Sequence, residues 1–284
     1  MSSDLTVPSC YRHPDRPTRL RCSSCDRPIC TSCSYDASVG QKCPACVGQA
    51  QRNIRTVKQR VGLPPVTASL LVVTSAVYVL AWLLPELESR FVRDLAMIAG
   101  LPELGVGVAA GQWWRMFTAV LLHGSMFHIL FNMWALYVFG PQIERESGSL
   151  PFLAIYLSAA SGGSLFVFWF SDPFTFSIGA SGAIFGLFGV WLAGAYRLRH
   201  TYFGRRVLSQ LGILLAINFA LPLFIPNIAW EAHLGGIVTG VLIGLLWSAQ
   251  RQRGHRVAGL AVSALAVGVV AVAAAVLLGG GLPG

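Results

Sequence analysis

"SIGASGAIFG", residues 177–186, sets Ser181 between Gly179 and Gly182 in an otherwise apolar run. A hydroxyl in such surroundings packs helices, bonds to its own backbone or acts as a nucleophile. The rest of the chain decides among these roles. Of its 284 residues, 54% are hydrophobic and only 12% are charged, about half the charged fraction of an average soluble domain. The charges crowd the first 60 residues and a few short stretches. Between them lie runs that approach or exceed the ~18 apolar residues of a bilayer-crossing helix. Spans are expected at 66–84, 116–140, 150–170, 178–196, 207–225, 230–249 and 257–279. The expected fold class is an all-α polytopic membrane protein carrying a small polar N-terminal piece.

The net charge of +9 invites a nucleic-acid reading, but its distribution follows membrane topology instead. With the N-terminus in the cytosol, the inner side collects Arg52, Arg55, Lys58 and Arg60, then Arg197, Arg199, Arg205 and Arg206, then Arg251, Arg253 and Arg256. On the outer side, Glu86, Glu88, Glu103, Asp172 and Glu231 outweigh Arg90 and Arg93. This is the positive-inside pattern. Its exception is the 141–149 turn, where Glu144 and Glu146 flank Arg145. No nucleic-acid partner is expected, and the basic excess reads as topology and contact with anionic membrane lipid. Residues 1–60 hold no apolar h-region, so no secretory signal is expected before the polar piece.

All seven cysteines precede residue 47. They fall in four short-spaced pairs with one histidine: Cys10 with His13, Cys22 with Cys25, Cys30 with Cys33, and Cys43 with Cys46. Four such pairs supply the ligands of two tetrahedral zinc ions. In a reducing cytosol, metal-bound thiolates are the better reading than disulfides. The spacing resembles the B-box zinc finger, a cross-brace in which alternate pairs share a metal. That resemblance implies one zinc on Cys10, His13, Cys30 and Cys33, and a second on Cys22, Cys25, Cys43 and Cys46. The usual B-box has histidines in its last pair where this chain has Cys43 and Cys46, and sequential pairing is the alternative. Fully protein-ligated zinc is structural, not catalytic. So small a module has little core, so the metal would supply its folding energy. It reads either as a structural knob or as a docking site for a cytosolic protein partner.

Polar side chains at bilayer depth are costly and point to function. "HGSMFHILFN" supplies His123, His128 and Asn132, the last two on one helical face. "WEAHLGGIVTGVLIG" supplies His233 near the start of the sixth span. Taken singly, a membrane serine packs or bonds to its own helix, and a membrane histidine cross-links helices. Together they suggest more. The fourth and sixth spans run in the same direction, with Ser181 and His233 at similar depth. Gly236, Gly240 and Gly244 recur every four residues on the sixth span, and Gly182, Gly186 and Gly189 make a similar strip on the fourth. Such small-residue strips let helices approach closely, so contact between the two spans is expected. Histidine is suited to take the proton of a serine nucleophile. Apart from Glu231 at the outer end of the sixth span, only two residues before His233, neither span holds Asp or Glu, so a Ser–His dyad is expected, with the imidazole packed on Phe185. Oxyanion donors would be the Ser181 backbone N–H, Asn132 and His128. The glycines, Gly179 among them, let an extended segment turn into a helix that begins at the nucleophile.

"GASG" around Ser181, "AHLGG" around His233 and "HGSMFHILFN" resemble the three signature segments of the rhomboid family of intramembrane serine proteases. "WWR" at 113–115 and "ERESG", with Glu144 and Gly148, resemble two further family motifs. The resemblance covers about residues 66–250. It implies a six-helix core that cleaves transmembrane protein substrates near helix-breaking, small-residue segments. It also implies Ser181 as nucleophile, His233 as general base, His128, Asn132 and Gly179 at the oxyanion and substrate site, and His123 as a nearby structural residue. Phe185 stands where the family often has tyrosine. The expected organisation is a zinc domain at 1–47, a basic linker at 48–65, the rhomboid core at 66–250, and a seventh transmembrane helix with tail at 251–284. The expected location is a bacterial cell membrane with the N-terminus cytoplasmic. A catalytically inactive relative that binds transmembrane clients, with the zinc head as docking module, is the alternative. A transporter is disfavoured, since no inverted repeat or intramembrane carboxylate is evident.

Overall fold

The computed structural model describes residues 7–37, 39–53, 62–224, 228–252 and 257–279. Arg55, Lys58, Arg60, Arg253 and Arg256 lie outside them, as does the end of the C-terminal tail. Two compact units divide the chain, Met1–Val61 and Gly62–Gly284.

The N-terminal unit contains two antiparallel ribbons, β1 (Ser9–Cys10) with β2 (His13–Pro17) and β3 (Tyr35–Asp36) with β4 (Gln41–Lys42), followed by α1 (Pro44–Asn53). Its buried centre is Cys10, Cys22, Cys30, Cys33 and Cys43 around one aliphatic side chain, Ile29. α1 runs on through residues 48–53, where no proline interrupts it.

The membrane unit begins with α2 (Pro65–Leu83) and α3 (Pro85–Leu95), then a loop leading to α4 (Arg115–Thr118). Then come α5 (Met126–Ser147), α6 (Ser149–Phe170), α7 (Ser181–Arg197), α8 (Tyr202–Ala220), α9 (Trp230–Gln252) and α10 (Val257–Gly279). Five segments are long and apolar enough to cross a bilayer alone: Pro65–Leu83, Ser149–Phe170, Tyr202–Leu223, Trp230–Gln250 and Ala258–Leu277. A sixth arises only if Arg115–Leu121 and Met126–Ser147, bent by 99°, count as one. The protein is an all-α polytopic membrane protein.

Two expected spans need correction. The continuous helix expected over 116–140 is broken. Leu122 is extended, and the Ser125 hydroxyl accepts a hydrogen bond from the His128 N–H at 3.2 Å, so a new helix starts at Met126. The serine acts as an N-cap. The fourth span begins at Ser181, not 178, and has 17 residues. Gly179 has φ +123°, which no helix accommodates, and Ser177 pairs with Met97 as an isolated β-bridge.

α6 is the hub. Within its span 78% of residues are buried, against 11% in α2 and 6% in α8, so those two helices face the surroundings. α7 packs on α9 by direct backbone approach. A Cβ on Gly236 would collide with the Gly182 carbonyl, and one on Gly240 with the Gly186 carbonyl. The pairs advance together by one helical turn, so the two helices run parallel. On α6, a Cβ at Gly162 would collide with Thr239 of α9. The seventh helix is bonded as well as packed. Ser158 Oγ donates to the Ala264 carbonyl at 2.7 Å, Ser161 Oγ to that of Gly268 at 3.4 Å, and Trp247 Nε1 to that of Leu260 at 2.8 Å.

Glu144 explains the charge exception in the 141–149 turn. Its carboxylate is 2% exposed and accepts from Val66 N, Thr67 N, Thr67 Oγ1 and Ser149 Oγ at 3.0, 2.7, 2.7 and 2.6 Å. It therefore caps the N-terminus of α2, where Pro64 offers no side-chain cap, and complements the positive end of that helix.

The glycine contacts generate a controlled test. Gly240→Leu must push α7 off α9, whereas a Cβ at Gly194 meets nothing within 4 Å. In detergent, thermal unfolding of Gly240→Leu should show a loss of at least 1–3 kcal/mol, roughly the cost of overpacking. Gly194→Leu should melt within a few tenths of a kcal/mol of the parent, as open surface positions do (about ±0.5).

Candidate active site and metal centres

The register of α7 on α9 decides what meets at their N-terminal ends. With Gly182 against Gly236, Ser181 comes opposite His233, one helical position away from the glycine contact. Ser181 Oγ lies 2.9 Å from His233 Nε2. For the hydroxyl to donate to Nε2, the imidazole carries its proton on Nδ1. Nδ1 is buried and has no partner among the described residues, so no carboxylate orients the ring there. Phe185, one turn beyond Ser181, does so by stacking: its ring lies 4.1 Å from the imidazole at 3° interplanar angle. His233 is 7% exposed, so the stacked ring is largely shielded from solvent.

Ser181 is the first residue of α7. The first-turn amides of a helix lack intrahelical acceptors and carry its positive dipole end. They open toward the strip "SIGA". His128 faces the same strip, since a Cβ on Gly179 would lie 2.6 Å from His128 Nε2. Glycine is thus required at 179 both for space and for its positive φ. His123 packs edge-on to His128 at 4.9 Å, and its Nε2 accepts a long hydrogen bond, 3.5 Å, from the Ala180 N–H. Asn132 is buried. Its amide donates to the His128 carbonyl at 2.9 Å, which spends one of its two hydrogens on its own helix. Ser181, His233, Phe185, Gly179, His128 and His123 are therefore clustered, with Asn132 one turn along α5 from His128.

Sequence reasoning missed what holds the strip. Met97 and Ser177 exchange two backbone hydrogen bonds, 3.0 and 2.8 Å, and Gly179 N donates to the Ala119 carbonyl at 2.9 Å. The loop supplying these partners is stapled by Arg115, which is 3% exposed. Its guanidinium donates to Gln112 Oε1, the Ala96 carbonyl and the Arg93 carbonyl at 2.6, 2.8 and 2.6 Å. The "WWR" stretch marks Arg115, but backbone pairing at Met97 and Ala119 carries no side-chain signature. A cavity of about 20 Å³, bordered by Ser164, Ser177, Gly179 and Gly182, has room for roughly one water molecule beside the strip.

In the N-terminal unit the ligand atoms of Cys10, His13, Cys30 and Cys33 lie within 4.8 Å of one another, as do those of Cys22, Cys25, Cys43 and Cys46. The grouping is the cross-brace order, not the sequential one. Donor chemistry fits a tetrahedral dication. His13 Nδ1 lies 3.8, 3.4 and 3.4 Å from the sulfurs of Cys10, Cys30 and Cys33, and the Cys25 and Cys43 sulfurs are 3.8 Å apart. Zinc–sulfur bonds of about 2.3 Å at tetrahedral angles put ligand atoms about 3.8 Å apart. The thiols also compete for ionisation. Burial opposes ionisation of Cys10 and Cys22, but backbone N–H groups and neighbouring side chains outweigh it and bring each down to about 6. Cys33 is then pushed up to about 11 by burial and by Cys30 and Cys10. Cys46 goes up to about 12 through Cys43 and Cys25. Such a cluster ionises fully only around a cation.

The chain is similar to several known proteins. The Rhomboid domain family matches residues 110–250. YdcA of Bacillus subtilis (strain 168), a rhomboid protease by name, is 36% identical over 149 residues, covering 52% of this chain and 74% of that protein. Rhomboid protease GluP of the same organism is 34% identical over 165 residues, 58% of this chain and 32% of GluP. RHOMBOID-like protein 1 of Arabidopsis thaliana is 34% identical over 157 residues, 55% of this chain and 40% of the plant protein. The fold is that of a helical polytopic membrane protein, and the chain belongs to the rhomboid family. The matches to GluP and the plant protein span less than half of their lengths.

The tight fit at 179 is directly testable. Gly179→Ala adds a methyl group against His128 and forces an L-residue to a strained φ. Thermal unfolding should show a loss of about 1–3 kcal/mol, whereas Gly111→Ala, at positive φ but with nothing within 4 Å, should lose less.

Proposed function

We propose that the protein is an intramembrane serine endopeptidase that cleaves transmembrane-helix proteins through a Ser181–His233 dyad. The observation that carries this reading is the 2.9 Å contact between Ser181 Oγ and His233 Nε2, with the ring stacked on Phe185. Ser181 Oγ attacks the scissile carbonyl carbon while His233 Nε2 takes the hydroxyl proton. Negative charge gathers on the carbonyl oxygen. The first-turn N–H groups of α7, the His128 ring and the remaining amide hydrogen of Asn132 are its donors. Collapse breaks the C–N bond, and the imidazolium returns its proton to the leaving amine. Water then attacks the acyl-enzyme, with His233 again as base, and releases the acid and free Ser181. Gly179 keeps the strip open beside His128, and His123 steadies the Ala180 peptide.

The dyad reading makes a sharp demand on variants. Purified protein in liposomes should cleave a model transmembrane substrate with a small-residue, helix-breaking segment. Ser181→Ala should abolish cleavage. His233→Ala should lower kcat by at least about 10³-fold, as loss of a catalytic base does. Unchanged cleavage in Ser181→Ala would favour a rhomboid-like client binder without catalysis.

The two cysteine–histidine clusters are read as structural zinc sites in a cytoplasmic N-terminal domain of a bacterial membrane protein. Zinc bound there would supply folding energy to a unit whose buried centre is five cysteines and Ile29. The domain contributes no residue to the dyad and serves either as a structural knob or as a docking site for a cytosolic protein partner. Metal analysis of the full chain should give two zinc equivalents. Chelation should raise amide exchange across residues 9–46 and leave that of α6 and α9 unchanged. Exchange in 9–46 that ignores chelation would exclude structural zinc.

A further inference from the structure

α10 does more than add a membrane span. Its last turns carry Ala271 and Ala275, which are buried at 7% and 0% exposure. Both join a packed cluster with Met97, Ala99 and Val108 of the loop, Met116 of α4 and Leu165 of α6. Ala232, the neighbour of His233, rests on the same cluster. The loop is bonded in turn to the strip before the nucleophile. Met97 and Ser177 exchange two hydrogen bonds, Gly100 N donates to the Pro173 carbonyl at 2.8 Å, and Gly179 N donates to the Ala119 carbonyl. A continuous run of contacts thus leads from α10 to Gly179 and Ser181.

We propose that Ala271 and Ala275 of α10 are positioning residues: they support the 96–119 loop at the height that sets the strip 177–179, and so Ser181, against His233. This rests on the serine-protease reading. Alanine is the size the role demands. A larger side chain adds bulk to the cluster that Met97 and Met116 share. α10 is anchored on the N-terminal side of Ala271. Its hydrogen bonds from Ser158, Ser161 and Trp247, and the close fit of Gly268 on Ser158, fix it to α6 and α9. Pressure on the cluster is therefore passed to the loop, which Arg115 holds together as a unit and backbone bonds join to the strip. Its shift is transmitted to Ser177 and Gly179 because those bonds connect at two points. A misplacement near 1 Å at a reacting group costs as much as about 10²-fold in rate.

The test uses the full chain in liposomes and compares Ala275→Leu with Val270→Leu, whose side chain is 68% exposed on the opposite part of α10. Two quantities are read: amide exchange at Ser177 and Gly179, and kcat and KM on the transmembrane substrate. Ala275→Leu should speed both amides about tenfold and lower kcat about tenfold with KM within about twofold. Val270→Leu should change neither. Met116→Ala, which makes room in the same cluster, should partly restore both in the double variant. A folded Ala275→Leu with parental exchange and kcat would overturn the proposal, and so would the absence of rescue. If Ala275→Leu does not fold, Ala275→Val takes its place with the same two readouts. If the parent protein cleaves nothing, the protease reading falls by itself. The exchange comparison then still decides whether α10 supports the strip.

Discussion

The approach of α7 to α9 through glycine is the constraint on which the site depends. Gly182 and Gly186 offer their carbonyls where Gly236 and Gly240 have no side chain. In the observed parallel register both contacts are made at once. That register brings a hydroxyl and an imidazole together at the start of two helices. Lipid supplies no hydrophobic drive for helix association, so dispersion contacts along such a face, with a few interhelical hydrogen bonds of roughly 0.6 kcal/mol each, hold the pair.

Several polar groups elsewhere in the membrane unit are spent on backbone. Arg115 donates to two carbonyls, Glu144 accepts two N–H groups at the start of α2, and Ser158 and Ser161 reach carbonyls of α10. The bonds of Arg115 and Glu144 satisfy main-chain atoms that a loop and a helix end leave unpaired, which hydrocarbon would penalise by several kcal/mol apiece. The same economy shapes the dyad. His233 has no carboxylate partner among the described residues and is oriented by Phe185, an arrangement that introduces no second charge into an apolar surrounding.

Much of the site was legible because polar residues stand out in apolar runs. Ser181, His233, His128 and the glycine strips could be read from spacing alone, and Phe185 fell one turn from the serine. The break at Leu122–Ser125 was not legible, since the hydropathy on either side is continuous and a serine cap sits on the same letters as a packing serine. Likewise, the late start of α7 follows from the Met97–Ser177 pairing, a contact between backbones far apart in sequence. Glu144 looked like a topological exception because charge counting assumes a solvated loop, whereas its carboxylate is buried against α2. In the N-terminal unit, ligand spacing announced metal chemistry, but only the spatial grouping separated cross-brace from sequential pairing.

The central claim is that His233 activates Ser181 through direct contact. It is tested most directly by mass-spectrometric mapping of the adduct left by a fluorophosphonate probe on the membrane-embedded protein. The account predicts one phosphonylated peptide, bearing Ser181, whose yield collapses in His233→Ala while that variant still unfolds at the parental temperature. Equal modification of Ser181 in both proteins, or modification only at other serines, would contradict it.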